Sequence, residues 1–356
     1  MQYRKYIFKN LAYSTVFITL CLTSIVWLTQ SLRFVDLIIN KGLAISTFLY
    51  LTLLLLPSLV GLILPIALFC SIIYTYHKLI TDSELIVLES TGVSKLGLLK
   101  PAMMLGAVVT LVGYLISLYL LPISYKNFKE LQYFIRNNYA SILIQEGVFS
   151  TPISGLTIYV REHGGDGILK GILVHDNRIS EKPVTMMAKE GKLVRTEKGP
   201  RIILLKGNRQ EISKETLSLL DFDSYTLDIS MYIDDKSQGI RKKDSEEMFL
   251  PELFNPKDDV VYKKRSELFA EGNRRLVWPL YSLALSALGA ASLLYGGFSR
   301  KEEWHKVVIA TVICIVFVAT GLGLNFIVGE YRFITPLLYL NVLAILGGSL
   351  KALHGE

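Results

Sequence analysis

The chain has 356 residues, 51% of them apolar and 19% charged, with a formal net charge of +7 and three cysteines. Its apolar residues gather into windows of about 20 with almost no charge, which excludes an ordinary soluble protein and reads as membrane-spanning. Lys and Arg cluster at the ends of these windows, where they meet headgroups and set topology, so the positive balance does not imply nucleic-acid binding.

The first window, residues 11–32, follows a basic start with Arg4, Lys5 and Lys9. It is too long for the apolar region of a signal peptide, and no small-x-small site follows at QSLRFVD, so it is expected to be a retained span. Arg33 ends it and Lys41 begins the next loop. The second window, 49–75, contains Pro57, Gly61 and Pro65 in LLPSLVGLILPIALF. Its prolines free backbone carbonyls that neighbours must satisfy again, as in an ordinary kinked membrane helix.

Next comes TDSELIVLESTGVSK, residues 81–95, an acid-bearing stretch ahead of the third window at 99–121. Thr81-x-x-Glu84 has the form of a capping box, Asp82 favours a helix start, and Gly92 can end a helix in the left-handed conformation. A short helix over 82–91 follows. Leu85, Ile86, Val87 and Leu88 point in four directions at 100° per residue, so this helix needs cover on more than one side. Its own bundle can supply one side; a partner protein is expected at the other. Asp82 and Glu89 share one face, and Glu84 lies roughly opposite. A carboxylate buried there needs a cation, unless Glu84 only caps its own helix.

After Pro122 the run to Phe149 reads as a helix leaving the membrane. The texture then changes to short segments rich in β-branched and aromatic residues: LTIYVRE, GILKGILVHDN, VTMMAKEGKLVRT, PRIILLKGNRQEI and LLDFDSYTLDI. Turn signals are GGDG at 164–167, EKG at 197–199 and GN at 207–208. These imply an inserted β module of sandwich or jelly-roll type, with an irregular charged connection over 236–271. Three further windows follow at 276–297, 306–328 and 334–350, the first of them just after Arg274 and Arg275 in EGNRRLVWPL. The expected divisions are 1–121, 122–272 and 273–356. Placing both termini in the cytoplasm leaves ten Lys and Arg in the short inside loops against three outside, namely Arg33, Lys41 and Arg332. The β module then lies on the non-cytoplasmic side.

No G-x-x-x-x-G-K-[ST], H-E-x-x-H or G-x-S-x-G occurs, and the five histidines share no ligand spacing, so neither catalysis nor a metal or other cofactor is expected. Cys21, Cys70 and Cys314 all fall within spans, where a thiol is a small apolar filler. The span centres are nearly bare of ionisable groups, and Asn325 is the most polar residue well inside, which argues against ion coupling. Energy for any transport must therefore come from another protein, and the 81–95 segment is where it could enter. Outside, Arg33, Lys41, Arg274 and Arg275 read either as snorkelling anchors or as ligands for the phosphates of an anionic lipid.

Residues 62–102, LILPIALFCSIIYTYHKLITDSELIVLESTGVSKLGLLKPA, resemble the permeases of the lipopolysaccharide export system, the LptF/LptG family, and within it the LptF branch. The resemblance extends to the order of parts and, more loosely, to AEGNRRLVWPL. It implies a membrane α-helical protein, six transmembrane helices arranged three and three, with an inserted periplasmic all-β jelly-roll-like domain in a bacterial inner membrane. The implied partners are an LptG-like permease, a dimer of the ATPase LptB, and bridge proteins like LptC and LptA, which receive lipopolysaccharide from the β domain. The family's coupling helix maps onto Asp82, Ser83, Glu84, Leu85 and Leu88, with Gly92 and Ser94 closing it. Arg33 matches an arginine of the family at the same place in span one, where it faces the lipid's phosphates. The alternatives are a permease for another lipid or lipoprotein, or an envelope scaffold anchored by its spans.

Overall fold

The computed structural model describes residues 2–35, 44–142, 146–153, 155–164, 168–177, 183–196, 199–213, 216–228, 243–256, 262–296 and 303–354. The chain divides into a helical unit, built from 1–35, 46–129 and 243–356, and a second unit made chiefly of 130–242.

In the helical unit, α1 (Gln2–Leu32) is followed by α2 (Ile45–Leu53), α3 (Leu56–Thr81), a short α4 (Glu84–Ser90) and α5 (Lys95–Leu115). A π-helical turn over Ile116–Leu120 leads from α5 into α6 (Leu121–Ile142). After the β module come α7 (Leu250–Phe254), α8 (Tyr262–Val277), α9 (Leu280–Leu294), α10 (Glu303–Val328) and α11 (Thr335–His354). Among the described residues five helical stretches are long and apolar enough to cross a membrane. A sixth span is completed when α8 and α9, bent by 44° at their junction, count as one. This is the expected set of three spans on each side of a β insertion.

Lipid tails are as apolar as the side chains, so helix association rests on close packing and interhelical hydrogen bonds. Both are present. The Thr15 hydroxyl donates to the Ser71 hydroxyl at 2.9 Å, and Ser71 in turn donates to the Leu11 carbonyl at 3.0 Å, joining α1 to α3. Gly321 lets α10 approach the Tyr281 hydroxyl of α9, which a Cβ would strike.

Each proline inside the bundle frees a carbonyl four residues earlier, since it has no N–H to donate. Pro65 frees the Gly61 carbonyl, and the Trp278 indole N–H donates to it at 3.0 Å. Pro279, at the bend, frees the Arg275 carbonyl, which accepts the Ser117 hydroxyl at 2.9 Å. Beside it, the Tyr114 hydroxyl donates to the Leu276 carbonyl at 2.8 Å. Trp278 lies near a span end, but its N–H is spent inside the protein.

Alternation of α1, α3, α5 and the later spans sorts their ends onto two faces. One face holds the start of α1, the end of α3, α4, the start of α5 and the end of α11. Ile7, Leu79, Leu85, Leu98 and Leu353 share one core there. The other holds the end of α1, the start of α8 and the α10–α11 link.

The inserted module is one antiparallel sheet of six strands in sequential order: β1 (Phe149–Ile153), β2 (Leu156–His163), β3 (Ile168–Asp176), β4 (Val184–Thr196), β5 (Gly199–Ser213) and β6 (Thr216–Asp228). Leu156, Ile158, Val160, Val174, Met186, Ile202 and Leu204 form its core. This bears out the all-β insertion. β1 was not anticipated, because FSTPI is short and interrupted by proline. The GN pair at 207–208 is not a turn: both residues lie within β5, opposite Phe222 and Asp221 of β6. Gly207 sits there because a Cβ would collide with the Met187 carbonyl and the Phe222 ring. Most of GGDG and EKG lies outside the described residues.

Candidate functional site

The 81–95 segment forms a shorter helix than expected, and its start is different. α3 runs on to Thr81, whose hydroxyl donates to the His77 carbonyl of the previous turn at 3.0 Å. Thr81 therefore belongs to the preceding helix, and no capping box forms. Asp82 and Ser83 make the turn, both exposed, with Ser83 in the left-handed region at φ 59°. Asp82 thus shares no helix face with Glu89. Glu84 becomes the first residue of α4, where the helix dipole favours a carboxylate. Its Oε1 accepts the Tyr6 hydroxyl at 3.3 Å, tying α4 to α1.

The end of α4 follows the expectation closely. Gly92 takes φ +87°, its N–H donates to the Glu89 carbonyl at 2.8 Å, and the Val93 N–H donates to the Leu88 carbonyl at 3.3 Å. That is a complete Schellman motif, with Val93 and Leu88 both packed on the same core as its apolar contact. Ser94 does not close α4. It caps the next helix, its hydroxyl accepting the Gly97 N–H at 3.2 Å.

Two sides of α4 meet different surroundings. Leu85 is fully buried and Leu88 packs beside it, whereas Ile86 and Val87 are 44% and 59% exposed. The bundle covers one side of the helix. On the other, two β-branched residues stand uncovered at the mouth of the bundle, outside the long apolar spans that would face lipid.

On the opposite face, Arg33 is exposed, directly after α1. Lys41 lies outside the described residues. Arg274 and Arg275 occupy a different setting from the lipid-facing one envisaged. Arg275 is 2% exposed, and its guanidinium donates to Glu271 at 2.9 Å, to the Met248 carbonyl at 2.6 Å and to the Ser245 carbonyl at 2.9 Å. Arg274 donates twice to the same carboxylate, at 2.7 and 3.0 Å. Glu271, three and four residues before these arginines, holds them both, and Arg275 clamps the incoming segment at 245–248 against α8. Burial of Arg275 among acceptors makes it a structural residue here, while Arg274 keeps a partly exposed edge. Glu271 was overlooked in the sequence, although its i,i+3 and i,i+4 spacing from the arginines signals the pairing.

Residues 5–350 match the family described as lipopolysaccharide export system permease LptF/LptG. An uncharacterized protein of Rickettsia prowazekii (strain Madrid E) is 33% identical over 318 residues, covering 89% of this chain and 88% of its own. The lipopolysaccharide export system permease protein LptF of Escherichia coli K12 is 25% identical over 234 residues, covering 64% of this chain and 62% of its own. The LptF of Shigella flexneri matches with the same figures.

Proposed function

Since the chain belongs to the LptF/LptG family of lipopolysaccharide export permeases, we propose that it is the membrane subunit through which a partner's ATP hydrolysis drives lipopolysaccharide out of the inner membrane. Its coupling element is α4. The observation that carries this reading is the division of a seven-residue helix into a buried Leu85 and an uncovered Ile86–Val87 pair, at the end of a bundle that has no nucleotide motif of its own. Burying each exposed residue against a partner contributes about 1–2 kcal/mol. Glu84, held by Tyr6, stands ready to meet a cation of that partner.

In this reading the face bearing α4 is cytoplasmic and docks on an LptB-like ATPase dimer shared with an LptG-like permease. Nucleotide closure draws the two coupling helices together and narrows the cavity between the permeases. Lipid entering beside spans one and five, with Arg33 on its phosphates, is then expelled toward the periplasmic β domain. That domain passes it to LptC-like and LptA-like bridge proteins by adding strands edge to edge. Lys41 and Arg274 are lesser candidates for the same phosphates.

The test replaces Ile86 and Val87 together by serine, since neither side chain belongs to the core of the bundle. The expected result is a permease of unchanged thermal stability that no longer co-purifies with ATPase subunits or supports lipid export. Glu84→Ala is expected to retain assembly in part while uncoupling hydrolysis from export. Full export by the double-serine variant would end the coupling claim. Co-purification with no ATPase even by the unaltered chain would favour the scaffold alternative.

A further inference from the structure

In the β module, β2 pairs with β3 from Leu156 to Val160 and again from Glu162, but the pairing passes over Arg161 and Gly171. It likewise passes over Gly171 and Lys189 between β3 and β4, Lys189 and Lys206 between β4 and β5, and Lys206 and Asp223 between β5 and β6. These five residues form one row across five strands, so the ladder is interrupted along a single transverse line. Burial changes phase there. Residues on one face of a strand are ordinarily two apart, yet Leu169 and Ile172 are buried three apart, as are Ala188 and Gly191. Phe222 and Tyr225, also three apart, pack on the same core with ring centroids 5.5 Å from each other. Two successive residues of each of these strands therefore turn outward, and the sheet bends toward its core. Gly191 admits the Ile172 side chain from across the line, where a Cβ would strike it.

Two members of the row have left-handed backbone, Gly171 at φ 64° and Lys206 at φ 51°. Lysine lacks the freedom of glycine there, so Lys206 is strained. Lys189 and Lys206, both exposed, also stand opposite each other in the register, and like charges so placed oppose close pairing. A line with interrupted pairing, a strained residue and facing like charges is the place where the sheet least resists a change of bend. On the inner face Leu156, Val160, Val174, Ile202 and Leu204 are fully buried, so an apolar chain reaches them only when the bend relaxes. We propose that this row is a hinge, and that the β module opens its apolar face to an acyl chain by unbending there. The acyl chain rests on the transport reading; the hinge does not.

The test uses the full-length chain in phosphatidylcholine nanodiscs, first without added lipid. Amide exchange along β3, β4 and β5 is expected to be fastest at Gly171, Lys189 and Lys206; even protection through these positions would overturn the hinge. Lys206→Gly relieves the strain and is expected to slow exchange along the row by about three-fold, whereas Lys206→Val worsens it and is expected to speed exchange by a similar factor. A change of the same sign in both variants would trace the effect to the lost ammonium and overturn the backbone argument. Spin labels at Ser218→Cys and Thr226→Cys, exposed positions on either side of Asp223 in β6, then report the bend, with Cys21, Cys70 and Cys314 replaced by alanine. Hexa-acylated lipid A is expected to lengthen this distance by about 3 Å, one residue's rise. Labels at Val148→Cys and Asp221→Cys, both on one side of the row, are expected to keep theirs. With lipid A retained, a shift in the second pair alone would place the opening between strands, and no shift in either would exclude opening; both overturn the proposal and leave the transport reading standing. If no lipid A is retained, the transport reading and the acyl chain fall together, and the exchange data alone decide the hinge.

Discussion

Trp278→Phe tests the claim that a long-range donor replaces the N–H that Pro65 lacks. The substitution removes the indole N–H from the Gly61 carbonyl, now 3.0 Å away, and leaves that acceptor with no backbone donor. Interhelical hydrogen bonds within membranes contribute about 0.6 kcal/mol on average and up to about 1.7. The smaller ring also weakens the stack of Trp278 on Tyr281, whose centroids lie 5.1 Å apart, by about 0.5–1 kcal/mol. A total loss of about 1–2.5 kcal/mol follows. The two contributions separate in a cycle with Pro65→Ala, which returns an N–H to residue 65 and so to Gly61. In the alanine background the hydrogen-bond share disappears and only the stacking share remains. Reversible unfolding in mixed micelles gives all four stabilities, with an expected coupling of about 1 kcal/mol. Equal cost of Trp278→Phe in both backgrounds, to within about 0.3 kcal/mol, would refute the argument that the indole substitutes for the missing donor.

Arg275→Met is expected to cost about 3–5 kcal/mol, because it strands the Met248 carbonyl, leaves the Ser245 carbonyl with only the Met248 N–H and leaves Glu271 with Arg274 alone; the same unfolding measurement checks it, and a loss below about 1 kcal/mol would place the clamp elsewhere. Gly92→Ala meets no atom within 4 Å, so its cost of about 1–2 kcal/mol comes from the left-handed backbone alone. Hydrogen exchange is expected to show that loss at the amides of α4 and not in the spans.

The spans were legible because about 20 uncharged apolar residues in a row have few other uses. The sheet was legible from its β-branched segments, apart from β1, whose proline and small residues hide it, and the GN pair, where tertiary packing of Phe222 over Gly207 overrides a local turn preference. The start of α4 was misplaced for a similar reason. Thr81 carries a capping signal, yet α3 is held by tertiary packing through Leu79 and Ile80 and does not release the chain until after it. Its Schellman end was readable, because Gly92 is a local requirement that packing cannot relocate. Arg274 and Arg275 were seen as cations at a span end; Glu271 lies within helical reach of both, whereas the two carbonyls that Arg275 also holds, on a segment 27 and 30 residues earlier, carry no local signal.

The proline repairs tie together segments that the sequence separates by more than 150 residues. Trp278, from the second set of spans, donates to α3 in the first, and Ser117 and Tyr114, from the first set, donate to the bend in the second. Each bond satisfies a carbonyl that has no substitute donor in its own helix, so separating the two sets exposes unpaired backbone within a membrane. That cost is several kcal/mol per group in hydrocarbon. A bundle stitched in this way resists motion between its two halves and favours displacement as one body. α4 is attached to the same body through Leu85 in the core and Tyr6 on Glu84. In the proposed coupling, a push delivered at Ile86 and Val87 would therefore be carried by the whole helical unit.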